Sequence, residues 1–213
     1  VVDAKNLRYQ LNSHKDSSSF PEAYNQIAFA DVVILNKVDL VSSEDLGGGV
    51  EELEKEIHCI NSLAWIVPTI RCQVDLSVIL NCASYDGTRT SHLEALLKDN
   101  NSLSTTGLHD NSVRTMCLSK PGQVDLNKVR VWIEEILWEK KHSMDVYRCK
   151  GVLSVHGSDQ LHTLQAVREI YEIVPARKWL EDENKINKIV FIGHSLNEDI
   201  LADSFQDCLF QDQ

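Results

Sequence analysis

The chain has 213 residues, a formal net charge of −11, and 43% hydrophobic against 25% charged residues. That is an ordinary globular balance, with length enough for one large domain or two small ones. The negative charge argues against nucleic acid or an anionic membrane surface as partner, because both reward clustered Lys and Arg, and no apolar run approaches the about 20 residues needed to span a bilayer.

The chain opens on Val1, and "VVDA" reads as a strand from its first residue, where a natural terminus usually begins more loosely. The expectation is an amino-terminally truncated sequence with more chain upstream. The first residues also lack a charged region followed by an apolar one, so no secretory leader is expected. Ser19, Phe20 and Pro21 set up a helix start, since proline's missing N–H is harmless at the first helical position. Ala23, Ile27 and Ala30 then recur at helical spacing. "DVVILN" (31–36) is a continuous apolar run that suits a central strand covered on both faces. Ser42 and Asp45 resemble a capping pair. Gly47, Gly48 and Gly49 read as a surface insertion rather than a phosphate loop, and a helix resumes through "VEELEKEIHCI" (50–60). "AWIVPTI" (64–70) predicts another strand and "VDLSVILNCA" (74–83) a short helix. Strands alternating with helices place residues 1–85 in the α/β class, as a parallel sheet with crossover helices.

Residues 86–112 read as a polar connector. "KDNNSLSTTGLHDNS" (98–112) holds too little apolar surface to offset the entropy of ordering it, and only "HLEALL" (92–97) suggests a helical turn or two. A second region, 113–210, follows. "VRTMCLS" (113–119) is strand-like and Pro121 with Gly122 marks a turn. "DLNKVRVWIEEILWEKK" (125–141) is the clearest helix, with Val129, Ile133, Ile136 and Leu137 on one stripe and Glu134, Glu135 and Lys141 off it. "YRCKGVLSV" and "LHTLQAV" flank the turn-like "HGSDQ" (156–160) as a hairpin. "KIVFIG" (188–193) is a late strand and "EDILADSFQDCLF" (198–210) a closing helix. This order predicts a smaller α+β domain, an antiparallel sheet backed by helices.

One motif carries chemistry. "NKVD", Asn36 to Asp39, ends the apolar run 31–36, and open parallel sheets bind ligands at the carboxyl ends of their strands. An Asp carboxylate at Asp39 can accept two hydrogen bonds from guanine, from N1–H and from the exocyclic amine; adenine offers neither in that arrangement. Such charge-assisted bonds are about twice as strong as neutral ones. The Asn36 amide suits donation to a purine ring nitrogen while tying neighbouring loops together, and the Lys37 stem suits covering the base. The competing reading is a turn in which Asn and Asp act as local caps. Against full nucleotide binding stands the lack of a G-x-x-x-x-G-K-[ST] cradle: none of the nine glycines is followed by Lys. These residues alone are expected to bind GTP poorly and to hydrolyse it slowly or not at all.

"YNQIAFADVVILNKVDLV" (24–41) and "NSLAWIVPTIRCQVDLSVIL" (61–80) resemble the CobW family of metal-handling P-loop GTPases. "YRCKGVLSV", "LQAVREIYEIVPARKW" (164–179) and "KIVFIGHSLNEDIL" (188–201) resemble its carboxy-terminal domain, so two separate regions match in order. The details are most similar to the eukaryotic zinc-chaperone branch, and "DSSSFPEAYNQIAFAD" (16–31) is similar to plant members. The resemblance implies residues 1–85 as the later half of a GTPase domain. It implies a GTP-dependent metallochaperone with GTP, Mg2+ and Zn2+ as cofactors and cargo. A client metalloprotein, such as a metal-dependent aminopeptidase, would be the partner. The family's phosphate loop, magnesium-binding switch residues and CxCC motif have no counterpart here. Only Asn36, Lys37 and Asp39 carry over as nucleotide-binding residues; Asp3 lies in the matching strand with no role carried over. The alternatives are a non-catalytic interaction module and a chaperone for another metal such as cobalt.

Other groups point less far. His156 and His162 flank the hairpin turn and would face each other across it, a pair too few for a stable zinc site. His58 and Cys59 are helix neighbours that point apart. Glu51, Glu52, Glu54 and Glu56 read as a solvated helix face, His194 as a capping or surface residue, and Cys149 as packing. The six cysteines, Cys59, Cys72, Cys82, Cys117, Cys149 and Cys208, share no CxxC spacing and are expected to be reduced, mostly buried thiols of a cytoplasmic protein. Trp132, Trp138 and Trp179 fall in the second region, where core packing is the default and an exposed one would suit a client contact.

Overall fold

The computed structural model describes residues 1–12, 22–41, 48–81 and 113–211. The helix-start residues 19–21, the Ser42/Asp45 pair, Gly47, Cys82 and the connector 86–112 lie outside the described residues. The chain divides into two compact units, Val1–Ser84 and Tyr85–Gln213.

The first unit holds a parallel sheet in the order β1-β2-β3, formed by Val2–Asp3, Val32–Asn36 and Trp65–Thr69. Among the described residues three helices accompany it: α1 (Leu7–Asn12), α2 (Glu22–Phe29) and α3 (Val50–Ile60). α3 is the crossover between β2 and β3, as strand–helix–strand alternation requires for parallel neighbours. Its Leu53, Ile57 and Ile60 are buried while Glu51 and Glu52 are exposed. The helix begins after Gly49, where the sequence breaks. β2 has Val33 and Leu35 buried, but Val32 and Ile34 only half-buried, so one face is fully covered and the other partly. Asn61 is completely buried and caps α2: its Nδ2 donates to the carbonyls of Ile27 (2.8 Å) and Ala30 (2.9 Å). Those carbonyls lie at the end of the helix, where intrahelical partners run out. Arg8 of α1 bridges Glu56 of α3 at 2.7 Å.

Two elements differ from expectation here. α1 was not anticipated; with only Leu7 and Leu11 buried, it is too short to show periodicity. Over 74–83, where a short helix is expected, the described residues form a single 3-10 turn, Leu76–Val78. Leu76 and Leu80 are exposed, so no apolar face drives a longer helix. Asp75 also accepts from the Ser77 N–H (2.9 Å) and hydroxyl (2.8 Å), local bonds that compete with helical ones.

The second unit holds a five-stranded antiparallel sheet in the order β4-β8-β5-β6-β7: Arg114–Pro121, Ile186–His194, Asp145–Ser154, Gln160–Val167 and Ile170–Lys178. α4 (Leu126–Leu137) and α5 (Glu198–Gln206) share one core with the sheet. Val129, Trp132, Ile133, Ile136 and Leu137 of α4 meet Leu201 and Phe205 of α5 and strand residues such as Phe191 and Leu164. Trp132 anchors this core, edge-on to Phe205 (4.9 Å) and Phe191 (6.0 Å), and its indole N–H donates to Ser204 Oγ (2.9 Å). Asp125 starts α4 by accepting from the Asn127 N–H (2.8 Å), and Asn197 starts α5 by accepting from the Ile200 N–H (3.1 Å), as side-chain caps do. β5 and β6 form the expected hairpin. β7 was not anticipated, since Pro175 breaks its strand pattern; it lies at the sheet edge, where a proline is tolerated. The outermost strands β3, β4 and β7 carry Pro68, Pro121 and Pro175. Residues 208–210 add a short ribbon: Val124 bridges both Val155 and Leu209.

Candidate functional site

The ends of the first unit's strands align in one row. Asp3 of β1 is in register with Asn36 of β2, and Asn36 with Thr69 of β3. Parallel strands place that row at the carboxyl edge of the sheet, where such folds take ligands.

Asn36 closes β2 and is fixed from the β3 side. Its Oδ1 accepts from the Cys72 N–H (2.8 Å) and the Thr69 hydroxyl (3.2 Å). The Cys72 N–H can only donate, so the oxygen must face it, and Nδ2 is turned away from this pairing. The loop after β3 meets Asn36 in an unusual shape, with Arg71 (φ 53°) and Cys72 (φ 54°) both left-handed.

Lys37 is left-handed too, at φ 66° and ψ 33°, a conformation that favours glycine. Its carbonyl accepts from the Leu40 N–H (3.0 Å), opening the 3-10 turn Val38–Leu40. Its ammonium lies 2.6 Å from Asp3 Oδ2. That hydrogen bond holds the Asp3 carboxyl below the usual carboxylate range and raises the Lys37 ammonium above its ordinary value. Asp39 sits in the turn with its side chain exposed. The structure therefore brings Asn36, Lys37 and Asp39 onto one strand-end turn. It adds three residues not assigned there by sequence: Asp3, Thr69 and Cys72. The one signal for Asp3 was an acid ending an apolar strand, as Asn36 ends "VVIL".

The remaining candidates separate. The His156 ring stacks on Phe210 (3.4 Å between centroids, 5° between planes) and its Nδ1 contacts Gln123 Oε1 (3.2 Å). His162 is buried, with Nδ1 3.1 Å from the Gln160 carbonyl. The expected facing pair is thus two rings engaged with different partners. His194 Nδ1 lies 2.9 Å from Ser195 Oγ. Among the described cysteines, Cys59 and Cys72 are exposed, Cys117 is half-buried, and Cys149 and Cys208 are buried, so fewer are interior than expected. Burial pushes the Cys208 thiol up to about 12 and the Cys149 thiol higher still, which marks both as packing groups rather than nucleophiles. Among the described residues, no three His, Cys, Asp or Glu side chains gather as metal ligands, and no helix is long and apolar enough to cross a membrane. Trp132 is core. Trp179 packs on Val152 and Leu161. Trp138 is 55% exposed, its indole N–H donating to the Glu169 carbonyl (2.8 Å).

Comparison with known proteins agrees with both units. Residues 1–68 match the family model described as the CobW/HypB/UreG nucleotide-binding domain, and residues 113–209 that of the cobalamin synthesis protein cobW C-terminal domain. The chain is similar to zinc-regulated GTPase metalloprotein activator 1 of Schizosaccharomyces pombe, at 29% identity over 92% of this chain and 52% of that protein. It is similar to the zinc chaperone CobW of Pseudomonas aeruginosa, at 27% identity over 87% of this chain and 46% of that one. It thus spans about half the length of these relatives. The crystal structure of the Zn(II)-bound YjiA GTPase from E. coli shares the fold, with a TM-score of 0.69 at 23% identity, over 98% of this chain and 59% of that chain. The chain belongs to the CobW family, with its nucleotide-binding domain in the first unit and its carboxy-terminal domain in the second.

Proposed function

We propose that this chain serves a GTP-dependent metallochaperone that delivers zinc to client metalloproteins, with the first unit selecting guanine and the second meeting the client. The domain reading that accompanies it is 1–85 for the later half of the GTPase domain, 86–112 for a connector and 113–210 for the carboxy-terminal domain. The names of the relatives support the zinc and client parts. The guanine part rests on one observation: Asn36 spends its oxygen on the neighbouring loop while the Asp39 carboxylate stays exposed on the adjoining turn. In this reading Asp39 accepts guanine N1–H and the exocyclic amine, Asn36 Nδ2 donates to the purine, and the Lys37 stem covers the base. GTP with Mg2+ supplies the switch; Zn2+ is cargo, and the described residues form no cluster to hold it. Trp138, exposed on the second unit, is the natural anchor for a client such as a metal-dependent aminopeptidase, since partly exposed aromatics are enriched at interfaces. The setting is the cytoplasm.

Asp39→Asn tests the guanine assignment. An amide cannot accept from both N1–H and the amine, and each charged hydrogen bond is worth about 1.5–3 kcal/mol. In the intact protein, GTP binding by calorimetry is expected to weaken at least about tenfold and preference to shift toward xanthine nucleotides. Unchanged selectivity would remove the assignment.

A further inference from the structure

We infer that Asp3 is a positioning residue for base selection, acting through Lys37 rather than touching nucleotide itself. This deepens the guanine reading above and rests on it. Asp3 is anchored within its own turn: Oδ1 accepts from the backbone N–H groups of Lys5 (3.1 Å) and Asn6 (3.3 Å), and Oδ2 from Asn6 Nδ2 (3.1 Å). The remaining valence of Oδ2 holds the Lys37 ammonium at 2.6 Å. The backbone repeats the link, because the Ala4 N–H donates to the Asn36 carbonyl at 2.8 Å.

Lys37 needs that hold. It is left-handed at φ 66° without being glycine, and a lysine relaxes out of this region when nothing pins it. Its carbonyl starts the turn that carries Asp39 two residues on. If Lys37 relaxes, the Asp39 carboxylate swings off the base while Asn36, fixed by Thr69 and Cys72, stays in place. The ion pair thus converts strand register into carboxylate placement.

The test reads selectivity, which a merely structural role would not move. Inosine nucleotides lack the exocyclic amine, so the ITP-to-GTP ratio of dissociation constants in the intact protein reports how well Asp39 is placed. Asp3→Ala is expected to lower that ratio about tenfold, the worth of one charged hydrogen bond. Asp3→Asn keeps an oxygen for the Lys5 and Asn6 N–H groups and serves if Asp3→Ala does not fold; the same loss is expected. Adding Lys37→Gly to either variant should recover most of the ratio, because glycine reaches the left-handed region unaided. GTP and ITP weakening by equal factors would overturn the inference, as would a lost ratio that glycine does not recover. A wild-type protein with no preference for GTP over ITP would instead remove the guanine reading itself, and Asp3's role with it.

Discussion

Asn36→Ala separates the two tasks given to that side chain. The substitution removes the oxygen that accepts from the Cys72 N–H at 2.8 Å and from the Thr69 hydroxyl at 3.2 Å. Cys72 is exposed, so water replaces its partner and that loss falls at the low end of the 0.5–1.5 kcal/mol of an ordinary hydrogen bond. Thr69 is only 4% exposed, and a buried hydroxyl left without a partner costs about 1–3 kcal/mol. Thr69 belongs to β3 itself, so the loop after β3 is tied by the Cys72 bond alone, by about 0.5 kcal/mol, which is about twofold in a local opening equilibrium. Amide hydrogen exchange at Cys72, measured by NMR in the intact protein, is expected to accelerate by about that factor. Asn36→Asp supplies the control. It keeps an acceptor oxygen, so Cys72 exchange should stay slow, yet it loses the Nδ2 donor and should still weaken guanine binding. Cys72 exchanging at the wild-type rate in Asn36→Ala would refute the tie, as would Asn36→Asp behaving like Asn36→Ala.

Two further outcomes concern the second unit. At Gly193 an added Cβ would lie 2.3 Å from the Asp145 carbonyl oxygen and 3.0 Å from Val146 Cα, both backbone atoms. Gly193→Ala is therefore expected to cost about 3 kcal/mol by overpacking, seen as a lower urea midpoint; an unchanged midpoint would show the β5–β8 contact to be loose. Glu183 accepts hydrogen bonds from both terminal guanidinium nitrogens of Arg177, Nη2 and Nη1, at 2.7 and 2.8 Å. That pairing, with the Leu180 N–H behind it, holds its carboxyl below the ordinary value of 4.5. A depressed folded value gives stability that is full above the unfolded value and is lost as pH falls through the folded one. Wild type should therefore lose thermal midpoint more steeply below about pH 4.5 than Glu183→Gln, which at neutral pH should be about 1–2 kcal/mol less stable. Parallel curves would contradict the pairing.

What was legible in the sequence was set by local pattern. α3 shows Leu53, Ile57 and Ile60 at helical spacing after a glycine break, and the β5–β6 hairpin shows two apolar runs around a turn; both stand where expected. β7 mixes Glu172, Pro175 and Arg177 with apolar residues and shows no clean alternation. Arg148, Lys150 and Lys188 are buried, each engaged in an interaction, against the rule that keeps basic side chains outside. At the candidate site the strand-end turn that holds Asn36, Lys37 and Asp39 was legible, because all three fall in the short stretch that ends and follows the apolar run of β2. Its supports were not. Asp3 is 34 positions from Lys37, and Cys72 is 36 from Asn36, so only strand register brings them together. The same holds for His156, whose ring finds Phe210 through the ribbon at 208–210 rather than His162 across the hairpin.

The outermost strands have a bearing on association that their place in the fold does not by itself suggest. An edge strand ordinarily offers a row of unpaired backbone groups on which another chain can build. Among the described residues, the edge strands β3, β4 and β7 each contain a proline, Pro68, Pro121 and Pro175. A proline has no N–H to give an incoming strand, so a guest ladder laid along any of these three edges meets a missing donor. A guest strand is thereby disfavoured at these three edges. The exposed apolar side chains of Trp138 and the neighbouring Ile170, 81% exposed, are by contrast open to contact without any backbone donor.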